Sequence, residues 1–285
     1  MDRYKSTKMV GMLGIIGNIF LLIIKATIGF ISNSQAMIAD SVNSASDIFA
    51  SLMTFIGNKI ASKPGDSDHN FGHGKSEYIF SLLISISMII VSLKVLADAI
   101  TSLLFNNKLE YSIYLIIVCI ITIITKLSLF IYTNKLNKKY NNILLKANSK
   151  DHLNDCIVTS FTLLSIILAS KGIYWADGIV GLGIAIWICF TGIKIFIESY
   201  NVLMDISIDE KTKDIILDLI HSYKEIKSVE NIYSTPCGYK HIIILTICLD
   251  GNMSTFDSHN LADCLERDIK TLDNISDAII HVNPI

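Results

Sequence analysis

The sequence predicts an α-helical membrane protein with six transmembrane helices and a C-terminal cytoplasmic α+β domain of element order αββαβ. Three observations favour this fold class. Apolar residues make up 51% of the chain and charged residues only 18%, whereas ordinary soluble domains carry about 25% charged residues. Six long stretches are apolar enough to cross a bilayer, and Lys and Arg gather on alternate connections between them. Beyond residue 205 the sequence becomes mixed polar and apolar.

The six predicted helices follow from the thickness of the bilayer, because a hydrocarbon core of about 30 Å takes roughly 20 mainly apolar residues in a helix. The third and fourth stretches are the plainest, since each contains an almost unbroken apolar run. Residues 1–205 are therefore predicted to form a six-helix transmembrane domain. The stretches are residues 9–31, 36–58, 78–104, 111–133, 152–170 and 174–198.

The placement of basic residues predicts the orientation of these helices, because cytoplasmic loops of membrane proteins carry an excess of Lys and Arg. The N-terminus and the second and fourth connections are basic, whereas the first has no such charge, the third has only Lys108 and the fifth only Lys171. Both termini are therefore expected in the cytoplasm. The basic residues are Arg3, Lys5, Lys8, Lys59, Lys63, Lys75, Lys135, Lys138, Lys139, Lys146 and Lys150.

Residues 206–285 are predicted to form the cytoplasmic domain. Its first helix has Ile215, Ile216, Leu219 and Ile220 on one face. The order αββαβ is typical of a ferredoxin-like, open-faced sandwich, in which two helices cover one face of an antiparallel sheet. The other face of the sheet is then open to a partner. The predicted elements are helix 209–225, strands 228–235 and 239–250, helix 256–272 and strand 276–284.

Charge and cysteine content argue against several classes of function. The formal net charge of −2 does not support a nucleic-acid partner. The 6 cysteines form no CxxC pair, so free thiols in a reducing compartment fit better than a disulfide framework or a thiolate zinc site. No cleavable signal peptide is predicted, because the first apolar run is too long and lacks a small-residue cleavage site.

Carboxylates inside the predicted spans are the most informative residues. The second span places Asp40, Asn43 and Asp47 at spacings of three and four, hence on one helix face. The fifth span places Asp151 and Asp155 one turn apart. Because an ionised carboxylate inside a membrane helix costs a few kcal/mol even on mild insertion scales, the two faces are expected to meet. Asn43, Asp47, Asp151 and Asp155 would then converge as oxygen ligands for a hard divalent cation.

Another interpretation of the single residues stays open. Asp40 and Asp151 lie close enough to the predicted helix ends to cap a helix or to meet water. Two matching pairs in separate helices make the paired metal site the better interpretation. The neighbouring His152 lies about a quarter-turn from Asp151, so it is not expected to be a ligand, and the site then holds no nitrogen donor.

A second group of metal-ligating residues lies in the connection between the second and third spans. Asp66, His69 and His73 place two imidazoles at i and i+4 beside a carboxylate, a set that can bind a transition metal. Because no Glu follows His69, this is not the HExxH motif of a metalloprotease. A solvated His pair is the alternative.

Five segments in this order carry a family resemblance: SNSQAMIADSVNSASDI, DHNFGHGKSE, DHLND, SHNLADCLERDI and HVNP. Together they resemble the cation diffusion facilitator family, and the resemblance covers nearly the whole chain. It implies a homodimer that exports divalent metals from the cytoplasm in exchange for protons, by alternating access. It also implies a secondary active transporter rather than an enzyme, with no cofactor beyond the transported metal.

The resemblance implies roles for individual residues. The family builds its transport site from paired ligands on the second and fifth helices, at the positions of Asn43, Asp47, Asp151 and Asp155 in this chain.

Outside the spans, the resemblance points to a second metal site and a structural pair. Asp66, His69 and His73 match a secondary metal site of the family. Lys75 and Asp205 resemble a pair that locks the membrane and cytoplasmic parts together at the dimer interface.

The metal sites of the family's cytoplasmic domain are only partly matched. His259 and His281 stand at ligand positions, but Leu245 and Asn283 replace two other ligands. A full binuclear site in the tail is therefore not expected.

The ligand types predict which metal is carried. Zinc-transporting members of the family usually have His at one or both leading positions, where this chain has Asn43 and Asp151. Imidazole suits zinc, copper, iron and nickel, whereas carboxylate and carbonyl oxygens suit manganese and magnesium. The arrangement also resembles the manganese-exporting branch, so Mn(II) is the first expectation, with Zn(II), Fe(II) or Co(II) export as the alternative.

The energetics of export predict an exchange with protons. Moving two positive charges outward against about 100 mV costs roughly 4.6 kcal/mol, so export needs a driving ion. Mutual repulsion among three carboxylates favours retention of a proton when no metal is bound, so one site would hold metal and proton in turn. Asp40, one turn before Asn43, is a candidate proton relay, or a residue that caps the helix or orients a ligand.

Two other classes of function stay open. A membrane-anchored metal sensor would bind metal only in the tail, but an anchor has no use for paired carboxylates inside its spans. A membrane enzyme is not supported, since the sequence has no Ser elbow, HExxH or P-loop motif. A composition low in Pro and rich in Ile, Asn and Lys favours a bacterial source, so the expected location is the bacterial cytoplasmic membrane.

Overall fold

The computed structural model of the chain describes residues 3–31, 35–105, 113–169 and 175–285. The chain divides into two compact units. The first consists of Met1–Ser62 and Ser76–Tyr200, and the second of Lys63–Lys75 and Asn201–Ile285. The connection after the second helix therefore belongs to the same unit as the C-terminal part of the chain.

Six long helices form the transmembrane domain: α1 (Arg3–Ile31), α2 (Gln35–Ala61), α3 (Ser76–Phe105), α4 (Ile113–Tyr140), α5 (Ile143–Ala169) and α6 (Trp175–Leu203). Over the described residues, α1, α3, α4 and α6 contain stretches long and apolar enough to cross a membrane. The other two, of 27 residues each, extend about 40 Å, which also exceeds the hydrocarbon thickness. These two helices carry carboxylates such as Asp47 and Asp155, which lower their hydropathy. The predicted helical transmembrane domain is confirmed.

The fifth helix extends further towards the N-terminus than the apolar stretch predicted from about residue 152, because α5 begins at Ile143. The Asn142 side-chain oxygen accepts hydrogen bonds from the backbone N–H of Leu144 (2.8 Å) and of the following residue (3.2 Å), which makes Asn142 the N-cap. An apolar run marks only the lipid-immersed part of a helix, and the first turns of α5 are buried against protein instead. Asp151 therefore lies in the helix interior, where it cannot act as a cap.

Close packing between α1 and α2 positions the polar face of α2. A Cβ atom on Gly14 would lie 2.5 Å from Ser51 Oγ, so a glycine is needed for the two helices to approach this closely. The buried Asn18 amide donates to the Asp47 backbone carbonyl (3.0 Å) and to Ser51 Oγ (3.2 Å). These contacts hold the segment of α2 that carries Asp47 against α1.

The C-terminal part of the second unit has the predicted order αββαβ: α7 (Glu210–His221), β1 (Ser228–Cys237), β2 (Lys240–Leu249), α8 (Thr255–Lys270) and β3 (Ile275–Pro284). Both helices begin at side-chain caps, Asp209 for α7 and Ser254 for α8. Apolar residues from both helices and from one face of the sheet form a single core. Its fully buried members include Ile216, Ile220, Ile243, Leu245, Ile247, Leu265 and Ile269.

The expected antiparallel sheet is wrong in one strand pair. The strand order is β1-β2-β3; β1 pairs with β2 antiparallel, but β2 pairs with β3 parallel. The reason lies in the connection, since α8 carries the chain back to the end of the sheet where β2 began. A tight turn joins β1 to β2, so only that pair is antiparallel.

The face of the sheet opposite the helices presents an exposed apolar row. Tyr233 on β1 is opposite Ile244 on β2, which in turn is opposite Ile279 on β3. Their exposed fractions are 63%, 39% and 53%. This row is the part of the open sheet face best suited to contact another protein surface.

Candidate metal centre

A buried lysine joins the carboxylates of the two polar helices. Lys126 on α4 places its Nζ atom 2.7 Å from Asp47 Oδ2 on α2 and 2.5 Å from Asp155 Oδ2 on α5. The Lys126 side chain is 1% exposed, and those of Asp47 and Asp155 are 18% and 25% exposed. One positive charge therefore bonds both carboxylates inside the transmembrane domain.

Two further donors lie beside Asp155 on α5. One ligand atom each from Asp151, His152 and Asp155 lies within 4.8 Å of the other two. Asp151 Oδ2 and both ring nitrogens of His152 are buried without a hydrogen-bond partner among the described residues. Unpaired buried polar atoms are costly, so these atoms are suited to hold an ion.

The expectation that His152 is not a ligand stays a prediction, but its ring lies closer to the carboxylates than its offset along the helix indicates. The residue follows Asp151 by about 100° around the helix, but the imidazole is long enough to bring a nitrogen back towards the carboxylates. His152 is fully buried, so its ring has no solvent-facing alternative. The donor set within reach therefore contains a nitrogen as well as oxygens.

The four-residue transport site stays a prediction. Asp47 and Asp155 both bond Lys126, and ligand atoms of Asp151 and Asp155 lie within 4.8 Å of each other. The side chains of Asn43 and Asp40 lie outside the described residues. Their expected roles, as a ligand and as a relay or helix cap, stay predictions.

A small cavity adjoins this group. Its volume is about 40 Å³, enough for more than one water-sized group. It is lined by Lys25, Asp47, Val91, Thr122, Lys126, Asp155, Val158 and Thr159. Residues of five helices thus surround one polar pocket within the transmembrane domain.

Sequence reasoning missed the cations of this site. Lys126 interrupts the apolar run of the fourth span, and Lys25 does the same in the first. A charged side chain within a span faces the protein interior by the same rule that was applied to the carboxylates. Applied to lysines, this rule predicts that Lys126 and Lys25 both face the protein interior, and their exposed fractions are 1% and 4%.

The loop before α3 brings its three candidate ligands together. His69 Nδ1 lies 3.4 Å from Asp66 Oδ1, and His73 Nε2 lies 3.5 Å from Asp66 Oδ2. The His69 backbone N–H donates to Asp66 Oδ1 at 2.7 Å, which lowers the pKa of this carboxyl below its usual value. Ligand atoms of all three residues lie within 4.8 Å of one another, so their number and types fit a transition-metal site.

Backbone packing fixes this loop against the first hairpin of the second unit. A Cβ on Gly74 would lie 2.7 Å from the Cα of Gly238, and Gly238 has a φ of +64° in the hairpin turn. The Cys237 thiol lies 3.2 Å from the Phe71 carbonyl oxygen. Two glycines are therefore needed where the loop and the hairpin meet.

The predicted pair of Lys75 and Asp205 is in contact. Lys75 Nζ lies 2.7 Å from Asp205 Oδ1, and Thr235 Oγ1 donates to the same oxygen at 2.9 Å. These hydrogen bonds lower the pKa of Asp205 below its usual value. A role of the pair at a dimer interface stays a prediction.

The tail histidines are not part of a cluster of three metal ligands among the described residues. His259 is exposed on α8, 3.7 Å from Asp263 Oδ2. His281 lies on β3, where the open face of the sheet also presents Ile279. The Asn283 amide donates to Glu230 Oε2 at 2.8 Å. A tail metal site stays a prediction.

Comparisons with known proteins match nearly the whole chain in two consecutive ranges. Residues 11–204 match the sequence model described as the cation efflux transmembrane domain, and residues 208–285 match the one described as the cation efflux protein cytoplasmic domain. Manganese efflux system protein MneP of Bacillus subtilis is 28% identical over 292 residues, 99% of this chain and 98% of that protein. MneS of the same organism is 28% identical over 284 residues, covering 100% and 98%. Cation-efflux pump FieF of Shewanella oneidensis is 26% identical over 265 residues, covering 93% and 90%.

Proposed function

The chain belongs to the cation efflux family of membrane transporters, also known as cation diffusion facilitators, and we propose that it exports Mn(II) in exchange for protons. It is a transporter and not an enzyme. The observation that carries the proposal is the approach of Asp47 and Asp155, from two different helices, to one cation inside the transmembrane domain. A position that already holds a cation between two carboxylates is suited to bind a metal ion.

The transport cycle follows from the charges of the site. Metal from the cytoplasm binds between α2 and α5, at Asp47, Asp151 and Asp155, with Asn43 completing the set. When no metal is present the single Lys126 ammonium offsets only part of the negative charge of three neighbouring carboxylates, so the site takes up protons as the metal leaves. The protons then return inward, and their gradient drives export against the membrane potential, at roughly 2.3 kcal/mol per charge per 100 mV. The helix bundle exposes the site to each side in turn.

The choice of manganese rests on two supports. Carboxylate and amide oxygens are donors that suit Mn(II), and two similar proteins are named as manganese efflux systems. His152 favours the alternative, since its nitrogen lies within 4.8 Å of two carboxylate oxygens and imidazole suits Zn(II), Fe(II) and Co(II). The similarity to a pump named only for cation efflux is compatible with either metal.

The remaining features belong to the same proposal. The exposed row of Tyr233, Ile244 and Ile279 is an apolar surface that a second copy of the chain would cover, so we expect a homodimer. We expect the protein in the bacterial cytoplasmic membrane, and the basic loops predict that both termini lie in the cytoplasm. Asp66, His69 and His73 would bind a second, non-transported metal.

The test is metal uptake into proteoliposomes with a pH gradient, supplied separately with Mn(II), Zn(II), Fe(II) and Co(II). Asp47→Asn and Asp155→Asn should abolish uptake, because each removes a charged ligand without changing the size of the side chain. Asp98→Asn is the matched control, since Asp98 is an exposed carboxylate on α3, and it should transport as the unmodified protein does.

Three outcomes separate the alternatives. Fastest uptake of Mn(II), with internal proton loss that depends on metal, supports the proposal. Equal uptake of Zn(II) would leave transport in place but remove the argument for manganese. Metal binding by the second unit with no uptake of any ion would identify a membrane-anchored sensor instead.

A further inference from the structure

We propose that the Lys126 ammonium is a built-in counter-cation of the metal-free transporter, which the divalent ion must displace from between Asp47 and Asp155. The inference rests on the proposed function, because it assumes that these carboxylates bind the transported metal. It assigns a specificity-determining role to a residue of α4, a helix that supplies no metal ligand.

The first argument is that the two cations cannot share the position. Lys126 Nζ bonds the Oδ2 atom of both carboxylates, at 2.7 and 2.5 Å. A divalent metal binds carboxylate oxygens at about 2.0–2.6 Å, so an ion held by the same two oxygens would lie where the nitrogen now lies. Metal binding therefore requires the ammonium to move.

The second argument concerns burial. The Lys126 side chain is 1% exposed, so its positive charge is compensated only by the carboxylates that it bonds. The two carboxylates in turn need a positive charge near them inside the membrane. A tethered ammonium supplies that charge whenever the metal is absent. It lets the empty site change its exposure without carrying two uncompensated carboxylates through the bilayer.

The third argument is that the displaced ammonium has somewhere to go. The cavity beside it has a volume of about 40 Å³ and is also lined by Thr122. Thr122 lies one turn before Lys126 on α4, and its buried Oγ1 has no hydrogen-bond partner among the described residues. In the proposed exchange the ammonium donates to this oxygen while the metal takes the carboxylates.

The consequence is a selection by charge. A tethered ammonium is present beside the carboxylates at a high effective concentration. A free monovalent cation such as K⁺ or Na⁺ carries the same charge as the ammonium and therefore cannot displace it. A divalent ion attracts the two carboxylates about twice as strongly at equal distance. The lysine thus excludes the abundant monovalent ions, at the cost of weaker metal binding.

The experiment measures Mn(II) dissociation constants of the purified full-length chain by electron paramagnetic resonance of free Mn(II), with all variants made in an Asp66→Ala background that lacks the loop site. Lys126→Met removes the charge and should tighten binding by about tenfold or more, since repulsion by a unit charge about 4 Å away is lost. The same variant should become sensitive to 100 mM KCl, which should not affect the unmodified protein. Lys126→Arg keeps the charge, so its Mn(II) dissociation constant should lie within about threefold of that of the unmodified protein. Lys194→Met, at an exposed lysine of α6, is the matched control and should change nothing.

A second variant keeps the test independent of the folding of Lys126→Met. Thr122→Val removes the acceptor for the displaced ammonium while keeping the shape of the side chain, so it should weaken Mn(II) binding severalfold. In the Lys126→Met background it should have no effect. Unchanged binding in Thr122→Val, or equal or weaker binding in a folded Lys126→Met, overturns the inference.

The proposed function is tested separately by Asp155→Asn. If this substitution abolishes Mn(II) binding but Lys126→Met does not tighten it, only the counter-cation role fails. If Asp155→Asn binds Mn(II) as well as the unmodified chain, the transport site itself is wrong and the inference is overturned with it.

Discussion

Substitution of Glu77 should destabilise the transmembrane domain strongly, because Glu77 is the centre of a buried polar junction. Arg3 Nη1 and Nη2 donate to the two carboxylate oxygens of Glu77, both at 2.6 Å. The Asn142 amide donates to Glu77 Oε1 at 3.0 Å, and Asn142 also caps α5. The Glu77 side chain is 2% exposed and that of Arg3 10%. The junction therefore ties together the first turns of α1, α3 and α5.

The magnitude follows from the burial of the pair. Removing one partner leaves the other charge buried and uncompensated, which costs about 3–5 kcal/mol. At about 2–4 °C per kcal/mol for a domain of this size, Glu77→Ala should lower the melting temperature by roughly 6–20 °C. The double variant Arg3→Met with Glu77→Leu removes both charges. Its melting temperature should be closer to that of the unmodified protein than the melting temperature of Glu77→Ala is.

The assay is thermal unfolding of the detergent-purified chain. Glu198→Ala is the matched control, because Glu198 pairs with Lys146 where the two side chains are 40% and 31% exposed. Water screens a partly exposed pair, which contributes about 0–1 kcal/mol, so this variant should shift the melting temperature only slightly. A Glu77→Ala variant no less stable than Glu198→Ala, or a double variant no more stable than the single one, would refute the reasoning.

Three further predictions concern the metal sites and the Lys75–Asp205 pair. His152→Asn should reduce uptake of Zn(II) and Co(II) more than uptake of Mn(II), because it removes the only imidazole near the carboxylates among the described residues. Asp66→Ala should remove one metal equivalent per chain, counted by elemental analysis, while transport continues, since it takes away the carboxylate that lies between His69 and His73. The pKa of Asp205 is lower in the folded protein than its usual value. The ionised Asp205 therefore contributes its full stabilisation above the unfolded pKa of about 3.9. This stabilisation is lost as the pH falls through the lower pKa of the folded protein. Melting temperatures of the unmodified chain and of Asp205→Asn, measured from pH 6 to pH 3, would show the loss.

Each of these predictions has an outcome that contradicts it. Equal losses for all four metals in His152→Asn would make the imidazole structural rather than a donor. Unchanged metal content in Asp66→Ala would leave the loop histidines as a solvated pair. Melting temperatures of the unmodified chain and Asp205→Asn that fall in parallel with pH would show that the Lys75–Asp205 contact adds nothing measurable, as for many exposed ion pairs.

Local sequence was sufficient to predict those structural elements that depend mainly on residues close to one another along the chain. A membrane helix makes all its backbone hydrogen bonds internally, so runs of apolar residues predicted six long helices even where polar residues interrupt two of them. The helical spacing of Ile215, Ile216, Leu219 and Ile220 similarly predicted the first helix of the tail, and the predicted order αββαβ is the observed one. The start of α5 was missed because its first turns are buried against protein rather than lipid, and the Asn142 cap was the signal for it.

The sequence by itself determined the helical membrane architecture, the order of elements in the tail and the carboxylates that gather between α2 and α5. Only the tertiary structure decided that β3 lies parallel to β2, that His152 reaches the carboxylates, and that Lys126 bonds both Asp47 and Asp155. The physical reason is that these contacts depend on how separate elements are rotated and packed against one another. Helical periodicity tells which residues share a face, but it does not tell which face of α4 meets α2 and α5.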